Sequence, residues 1–259
     1  MAISQPGASQ VYKRLLPLLL LMIHNLIAGE TQAGPFSICP ETDEQTRIYA
    51  LCASAQCWTI DSVAYCKCDL RNGRNISTPY YYRESGQKKD VCDLLTQGID
   101  NGFSVSTYAP PRQILKSYQA DVEKLGPPMA IYTCDPKTDT NSLGAYSAQC
   151  DGGLCFLSTQ GQAFPGLGKL DDNQLICSCP PKQNSTPFQI IGPWSCSPGE
   201  KNLMNRCCDR GFFKRYCGIH SITRTGTIIP VGAPVGIGRL LTKKLEGTAL
   251  ETNECFSSN

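Results

Sequence analysis

The chain of 259 residues carries 24 Lys and Arg against 22 Asp and Glu, a formal net charge of +2, with no dense cluster of either sign. Near-neutrality argues against nucleic acid as a partner, since phosphate binding needs concentrated positive charge. Sixteen cysteines with only two histidines point away from zinc or haem and toward disulfides.

At the amino end, Lys13 and Arg14 precede an apolar run from Leu15 to Ile27, followed by the small-residue site Thr31-Gln32-Ala33. This pattern predicts a secretory signal peptide over residues 1–33. The run is interrupted by Pro17, His24 and Asn25, and it falls short of the roughly 20 apolar residues a membrane span needs. Removing residues 1–33 leaves 22 basic and 21 acidic residues and all sixteen cysteines. The expected location is secreted or cell surface, periplasmic if the host is bacterial, with no membrane span after signal cleavage.

A six-cysteine pattern then occurs twice, as Cys39, Cys52, Cys57, Cys66, Cys68, Cys92 and as Cys134, Cys150, Cys155, Cys177, Cys179, Cys196. In both copies four residues separate the second and third cysteines and a Cys-x-Cys pair follows, while the other loops vary in length. Constant spacing between elastic loops is the mark of a tandem disulfide scaffold. No Cys-x-x-Cys occurs and His220 is the one histidine beyond the signal, so no metal or cofactor site is expected. Within a strand the two members of a Cys-x-Cys lie about 7 Å apart on one face, too far to bond each other. Each is therefore expected to staple one strand to two different neighbours.

Short strands are predicted at Val63–Cys68, Leu175–Cys179 and Gln189–Gly192. A strand-like run over residues 102–110 parallels one over 226–234, and each leads toward a predicted helix. The first helix opens at Pro111, carries Ile114, Leu115, Tyr118, Val122 and Leu125 as an apolar stripe and stops at Gly126. The second, Gly238–Leu245, is expected to turn Leu240, Leu241 and Leu245 inward and to place Lys243 and Lys244 near its carboxyl end. The expected architecture is α+β, weighted toward β, as two tandem disulfide-rich small domains. Repeat 1 covers 39–126, a stiff linker 127–133, and repeat 2 covers 134–255. The second repeat adds an insertion near Ser158–Leu170 and four cysteines, Cys207, Cys208, Cys217 and Cys255. The alignment is loosest here, because Cys92-Asp93 also matches Cys208-Asp209, which would make Cys196 one of the additions. Cys207 and Cys208 are expected to take separate partners.

Asn75 and Asn184, each opening an Asn-x-Ser/Thr triplet after a Cys-x-Cys, are candidate glycosylation sites. Tyr80, Tyr81 and Tyr82 cannot all face one side of a strand, so one exposed ring is expected as a partner contact. The glycine-rich insertion, with Phe164 and Leu167, is the other place to look for a partner. Catalysis through His220 lacks a nucleophile motif beside it. The acidic pair Asp171-Asp172, and Glu41 with Asp43-Glu44, would serve a glycosidase only if the fold brought two carboxylates together. Gly232–Gly238 precedes a helix and offers backbone amides to an anion, although a structural turn explains it as well.

The run Tyr49–Cys57 with Cys66-x-Cys68, Cys155-Phe156 with Phe164-Pro165-Gly166, Cys177-Ser178-Cys179-Pro180, and Val231-Gly232-Ala233-Pro234 resemble uncharacterised exported cysteine-rich proteins of microbes. The resemblance implies that both repeats belong to one unit and brings no established activity or functional residues. The functional expectation is a secreted or cell-surface protein that binds extracellular protein or carbohydrate, or self-assembles. An extracellular hydrolase using Asp or Glu carboxylates is the alternative.

Overall fold

The computed structural model describes residues 36–39, 48–77, 80–81, 88–108, 129–139, 145–193, 208–219, 221–224, 226–247 and 254–256. The expected signal peptide, the helix expected over 111–125, and Glu41, Asp43, Glu44, Tyr82, Cys196, Cys207 and His220 lie outside the described residues.

The first repeat supplies β1 (Ser37–Cys39), β2 (Ile48–Leu51), β3 (Gln56–Ile60), β4 (Val63–Asn72), β5 (Asn75–Ser77), β6 (Tyr80–Tyr81), β7 (Lys88–Lys89), α1 (Val91–Asp100) and β8 (Phe103–Val105). The second opens with β9 (Met129–Cys134), α2 (Pro136–Asp139), β10 (Ala145–Ala148) and β11 (Leu154–Phe156), then folds its insertion into β12 (Ala163–Phe164) and β13 (Gly168–Lys169). It continues with β14 (Gln174–Cys179), β15 (Pro181–Asn184), β16 (Phe188–Pro193), α3 (Arg210–Cys217), β17 (Thr227–Pro230), β18 (Gly232–Pro234), α4 (Ile237–Glu246) and β19 (Glu254–Phe256). The fold is β-rich with few helices, as expected.

Residues 36–259 form a single compact unit, and the expected pair of small domains is not separated within it. Its centre is a seven-stranded sheet in the order β17-β3-β4-β14-β11-β8, with β2 also on β4. Strands of both repeats interleave in it. The hairpin β3–β4 of the first repeat meets β14 of the second along six residue pairs, from Gln174 opposite Asp69 to Cys179 opposite Ala64. Beyond that seam each repeat sends a later strand across: β8 pairs with β11 of the second repeat, and β17 with β3 of the first. The crossing is the same in both directions, for Ser106 N donates to Gly153 O at 2.8 Å and Val231 N to Ala55 O at 3.1 Å. Residues 129–133, expected as a connector, are instead paired strand: β9 lies between β16 and β19 in a four-stranded sheet.

The cysteines explain why the seam forms. Along β4 the buried side chains are Ala64, Cys66 and Cys68, alternating with the outward Tyr65, Lys67 and Asp69. Cys66 stands opposite Cys57 on one side and Cys177 on the other, and Cys177 stands opposite Cys155. Ile229 and Ser104 end this row on the two outer strands. The seam is symmetric about Cys66 and Cys177, because Ala64 faces Cys179 just as Leu175 faces Cys68. Disulfides join Cys57 to Cys66, Cys155 to Cys177, Cys52 to Cys68 and Cys150 to Cys179. All eight sulfurs are buried with Ala50, Ala148, Leu175 and Ile229 in one core. Sulfur thus does the packing that larger aliphatic side chains do in most cores.

Cys39–Cys92 and Cys134–Cys217 tie a strand to a helix in each repeat, so both repeats bond first to sixth, second to fifth and third to fourth. The sixth cysteine of the second repeat is therefore Cys217, correcting the alignment that placed Cys196, or alternatively Cys208, there. Cys208 bonds Cys255, as separate partners for the adjacent pair require. Each Cys-x-Cys does reach two different partners.

Helices α1 and α3 escaped the sequence reading. Asp90 and Asp209 cap them, accepting from Cys92 N and Phe212 N at 2.9 Å each, and Val91, Leu95 and Gly98 form the buried face of α1. Helix α4 lies where expected and ends at Gly247 in the left-handed region, φ 77°. Leu241 and Leu245 are buried against Ile76 of the first repeat, but Leu240, expected inward, is 43% exposed. It sits one residue before Leu241, on the far side of the buried stripe.

Burial pushes the phenols of Tyr49 and Tyr132 up to about 12 from an ordinary value of 10 and raises Tyr108 further. Tyr132 is locked by donating to Pro193 O at 2.5 Å and accepting from Asp209 N at 2.6 Å. A raised folded pKa means the neutral phenol is favoured by folding. That stabilisation is complete below about pH 10 and is lost as pH climbs from about 10 through 12. Phenolate absorbance and circular dichroism should therefore change together at alkaline pH. Titration of every tyrosine near pH 10 with the fold intact would contradict this packing.

Candidate functional site

The central sheet has one sulfur face and one face bearing Trp58, Tyr65, Lys67 and Asp69, because successive residues alternate. The insertion of the second repeat folds over this second face. Phe164 packs against Trp58 and Tyr65, with ring centroids 6.3 and 5.4 Å apart. Gly166, at φ +72°, presses on the Trp58 indole so closely that a Cβ would lie 2.2 Å from the ring. Lys67 Nζ donates to Lys169 O at 3.1 Å, and Ile176 N donates to Thr159 Oγ1 at 2.9 Å. Leu170, 1% exposed, closes the base of the loop.

Between loop and sheet lies an open cleft of about 380 Å³. Its polar lining is Ser54 from the β2–β3 connection, Gln56 from the start of β3, Lys67 and Asp69 from β4, and Gln174 from β14, faced by Leu167 from the insertion. Asp69 accepts from Arg71 Nη2 at 2.9 Å and from Gln174 Nε2 at 3.3 Å, while Gln174 Oε1 accepts from Asp171 N at 3.0 Å. These groups are held in place before any ligand arrives.

The cysteine pattern that occurs twice supplies an internal comparison. Where repeat 1 has Lys67 and Asp69, repeat 2 has Ser178 and Pro180, counted from Cys66 and Cys177. Where repeat 1 has Ser54 and Gln56, repeat 2 has Gly152 and Leu154, counted from the second and third cysteines. Both copies build the same strands and bridges, so the scaffold does not require these polar side chains. They are a property of one half.

No family model, curated protein or solved structure matches this chain.

Of the residues singled out in the sequence, Leu167 lines the cleft, while Phe164 is half-buried and anchors the loop rather than offering its ring. Tyr80–Tyr81 pairs with Lys88–Lys89 as a separate two-stranded ribbon. Asn75 and Asn184 are 0% and 5% exposed. Asn75 Nδ2 donates to Gly73 O, and Asn184 Nδ2 to Ala145 O at 3.1 Å and Ser147 Oγ at 3.0 Å. A glycan on either nitrogen would have to displace buried strand contacts. They are not equivalent positions either: Asn75 faces Cys39, whereas Phe188 faces Cys134. Intact-mass measurement of protein from a glycosylating host should find both asparagines unmodified, and a glycan on either would sink this packing.

The cleft lining contains one carboxylate, Asp69, so the facing pair that a hydrolase would need is not assembled there. Asp171 and Asp172 are exposed on the loop base. In the Gly232–Gly238 turn, Gly236 N already donates to Gln189 Oε1 at 2.9 Å. The sulfurs of Cys52, Cys68 and Cys177, and of Cys57, Cys66 and Cys150, gather within 4.8 Å, yet each is held in a disulfide. Zinc takes thiolates. The polar cleft residues were missed because each is unremarkable in sequence. Comparing the two repeats position by position is the signal that would have found them.

Proposed function

We propose that this is an exported, disulfide-stabilised binding protein whose partner enters the cleft beneath the insertion. The observation that carries the reading is a pair of unshared additions that meet in one place: four polar side chains that the first repeat has and the second lacks, covered by a loop that the second repeat has and the first lacks. Seven disulfides among the described residues suit an extracellular setting, and among those residues no helix is long and apolar enough to cross a membrane. The sulfur layer directly beneath the cleft floor makes the site rigid, which lowers the entropy lost on binding. No observation favours the hydrolase alternative over this reading.

The test is retention of purified protein on immobilised extracellular polysaccharides and peptides, with Leu167→Trp as a variant that fills the cleft. Wild-type retention on one ligand class, lost in the variant, supports the reading. Equal retention of both proteins, or of neither, refutes it.

A further inference from the structure

We infer that the cleft takes a neutral saccharide, a sugar unit or two in size; this rests on the binding reading above. The donor and acceptor inventory is mixed: Lys67 donates, Asp69 accepts, and Ser54, Gln56 and Gln174 do both. Each hydroxyl of a sugar is itself both donor and acceptor, so a row of vicinal hydroxyls matches such a lining. A phosphate or a uronate would instead call for concentrated positive charge. That is not what lines the cleft: its charged groups are one lysine, Lys67, and one aspartate, Asp69.

Size and shape point the same way. A volume of about 380 Å³ lies at the small end of the roughly 300 to 1,000 Å³ that ligand pockets span. Leu51, Ala55 and Leu167 add apolar surface to the lining, which the C–H face of a pyranose can meet. An extended peptide would be recognised by adding to a sheet edge. The strand that floors the cleft has no edge to give, because β4 is paired with β3 and β2 on one side and with β14 on the other. Preorganisation matters most for a ligand so well solvated by water, and here Asp69 and Gln174 already hold each other.

The experiment is amide chemical-shift titration of the ¹⁵N-labelled full chain with gluco-, manno-, galacto- and chito-oligosaccharides, alongside oligogalacturonate and a pool of short peptides. A neutral oligosaccharide is expected to shift the amides of Lys67, Leu167 and Gln174. Lys67→Met and Gln56→Ala should each weaken its affinity about tenfold, whereas Leu154→Gln, at the position of the other repeat matching Gln56, should leave it unchanged. If peptides shift these amides and no saccharide does, the saccharide assignment fails while the binding reading stands. If oligogalacturonate binds more tightly than every neutral sugar, neutrality is wrong. If nothing shifts them, both readings fall together.

Discussion

A chain cut between Gly126 and Pro127 is expected to stay one particle in native buffer and to come apart into two polypeptides in denaturant without any reductant. The reason lies in how the two repeats hold each other. The seven described disulfides all join cysteines of the same repeat, and the remaining Cys196 and Cys207 both belong to the second. No described bridge crosses the seam. What does cross it is backbone pairing: six residue pairs between β4 and β14, three between β8 and β11, and four between β17 and β3. Buried side chains of both repeats, Cys66 with Cys177 and Ile229 with Cys57, share the core beneath that pairing. An engineered protease site at residues 126–127, followed by size exclusion and a non-reducing denaturing gel, gives the answer. Separation of the halves in native buffer would show that the strand exchange is too weak to carry the fold, and covalent linkage in denaturant would show a bridge between repeats.

The second large effect is expected from the bridges themselves, and its order is informative. Cys134–Cys217 closes a sequence separation of 83 residues and Cys57–Cys66 one of 9. If a bridge acts mainly by restricting the unfolded chain, replacing the first pair with alanine should cost about 4.5 kcal/mol and the second about 2.5 kcal/mol. All four cysteines are 0% exposed, so the packing loss is of similar size in both variants and the loop length sets the order. Urea unfolding of Cys134→Ala/Cys217→Ala and Cys57→Ala/Cys66→Ala measures it directly. If the Cys57–Cys66 variant proves the less stable, sulfur packing in the row from Ile229 to Ser104 outweighs chain entropy.

That row also shows where reading the chain succeeds and where it stops. The spacing of Cys66-x-Cys68 and Cys177-x-Cys179 was enough to say that each strand is stapled to two neighbours, because strand geometry is local. The sixth cysteine of the second repeat was not decidable in the same way. Cys196, Cys208 and Cys217 all follow Cys179, and only the position of α3 against β9 selects Cys217. Helix α4 was legible from its leucines and its terminal lysines, yet Leu240 turned outward because the helix meets a narrow surface around Ile76. Helix α1 was legible as well, since Val91, Leu94, Leu95 and Ile99 recur at helical spacing behind the Asp90 cap, yet it was passed over.

The same division applies to the cleft. The insertion was visible as a departure of one repeat from the other, but nothing in residues 158–170 says that they fold back over Trp58 and Tyr65 of the first repeat. Likewise the two sequons are defined by three consecutive residues each, whereas the burial of Asn75 and Asn184 depends on strands paired from elsewhere in the chain. The chain by itself determined the twice-occurring cysteine pattern, the β-weighted class and the reliance on disulfides, since these rest on spacings within a few tens of residues and on the alternation of a strand. The tertiary structure alone decided that the repeats exchange strands into one sheet and that polar side chains of the first meet a loop of the second in a cleft. Register between distant strands is set by which buried faces fit together, and that fit is a property of the whole core rather than of any segment.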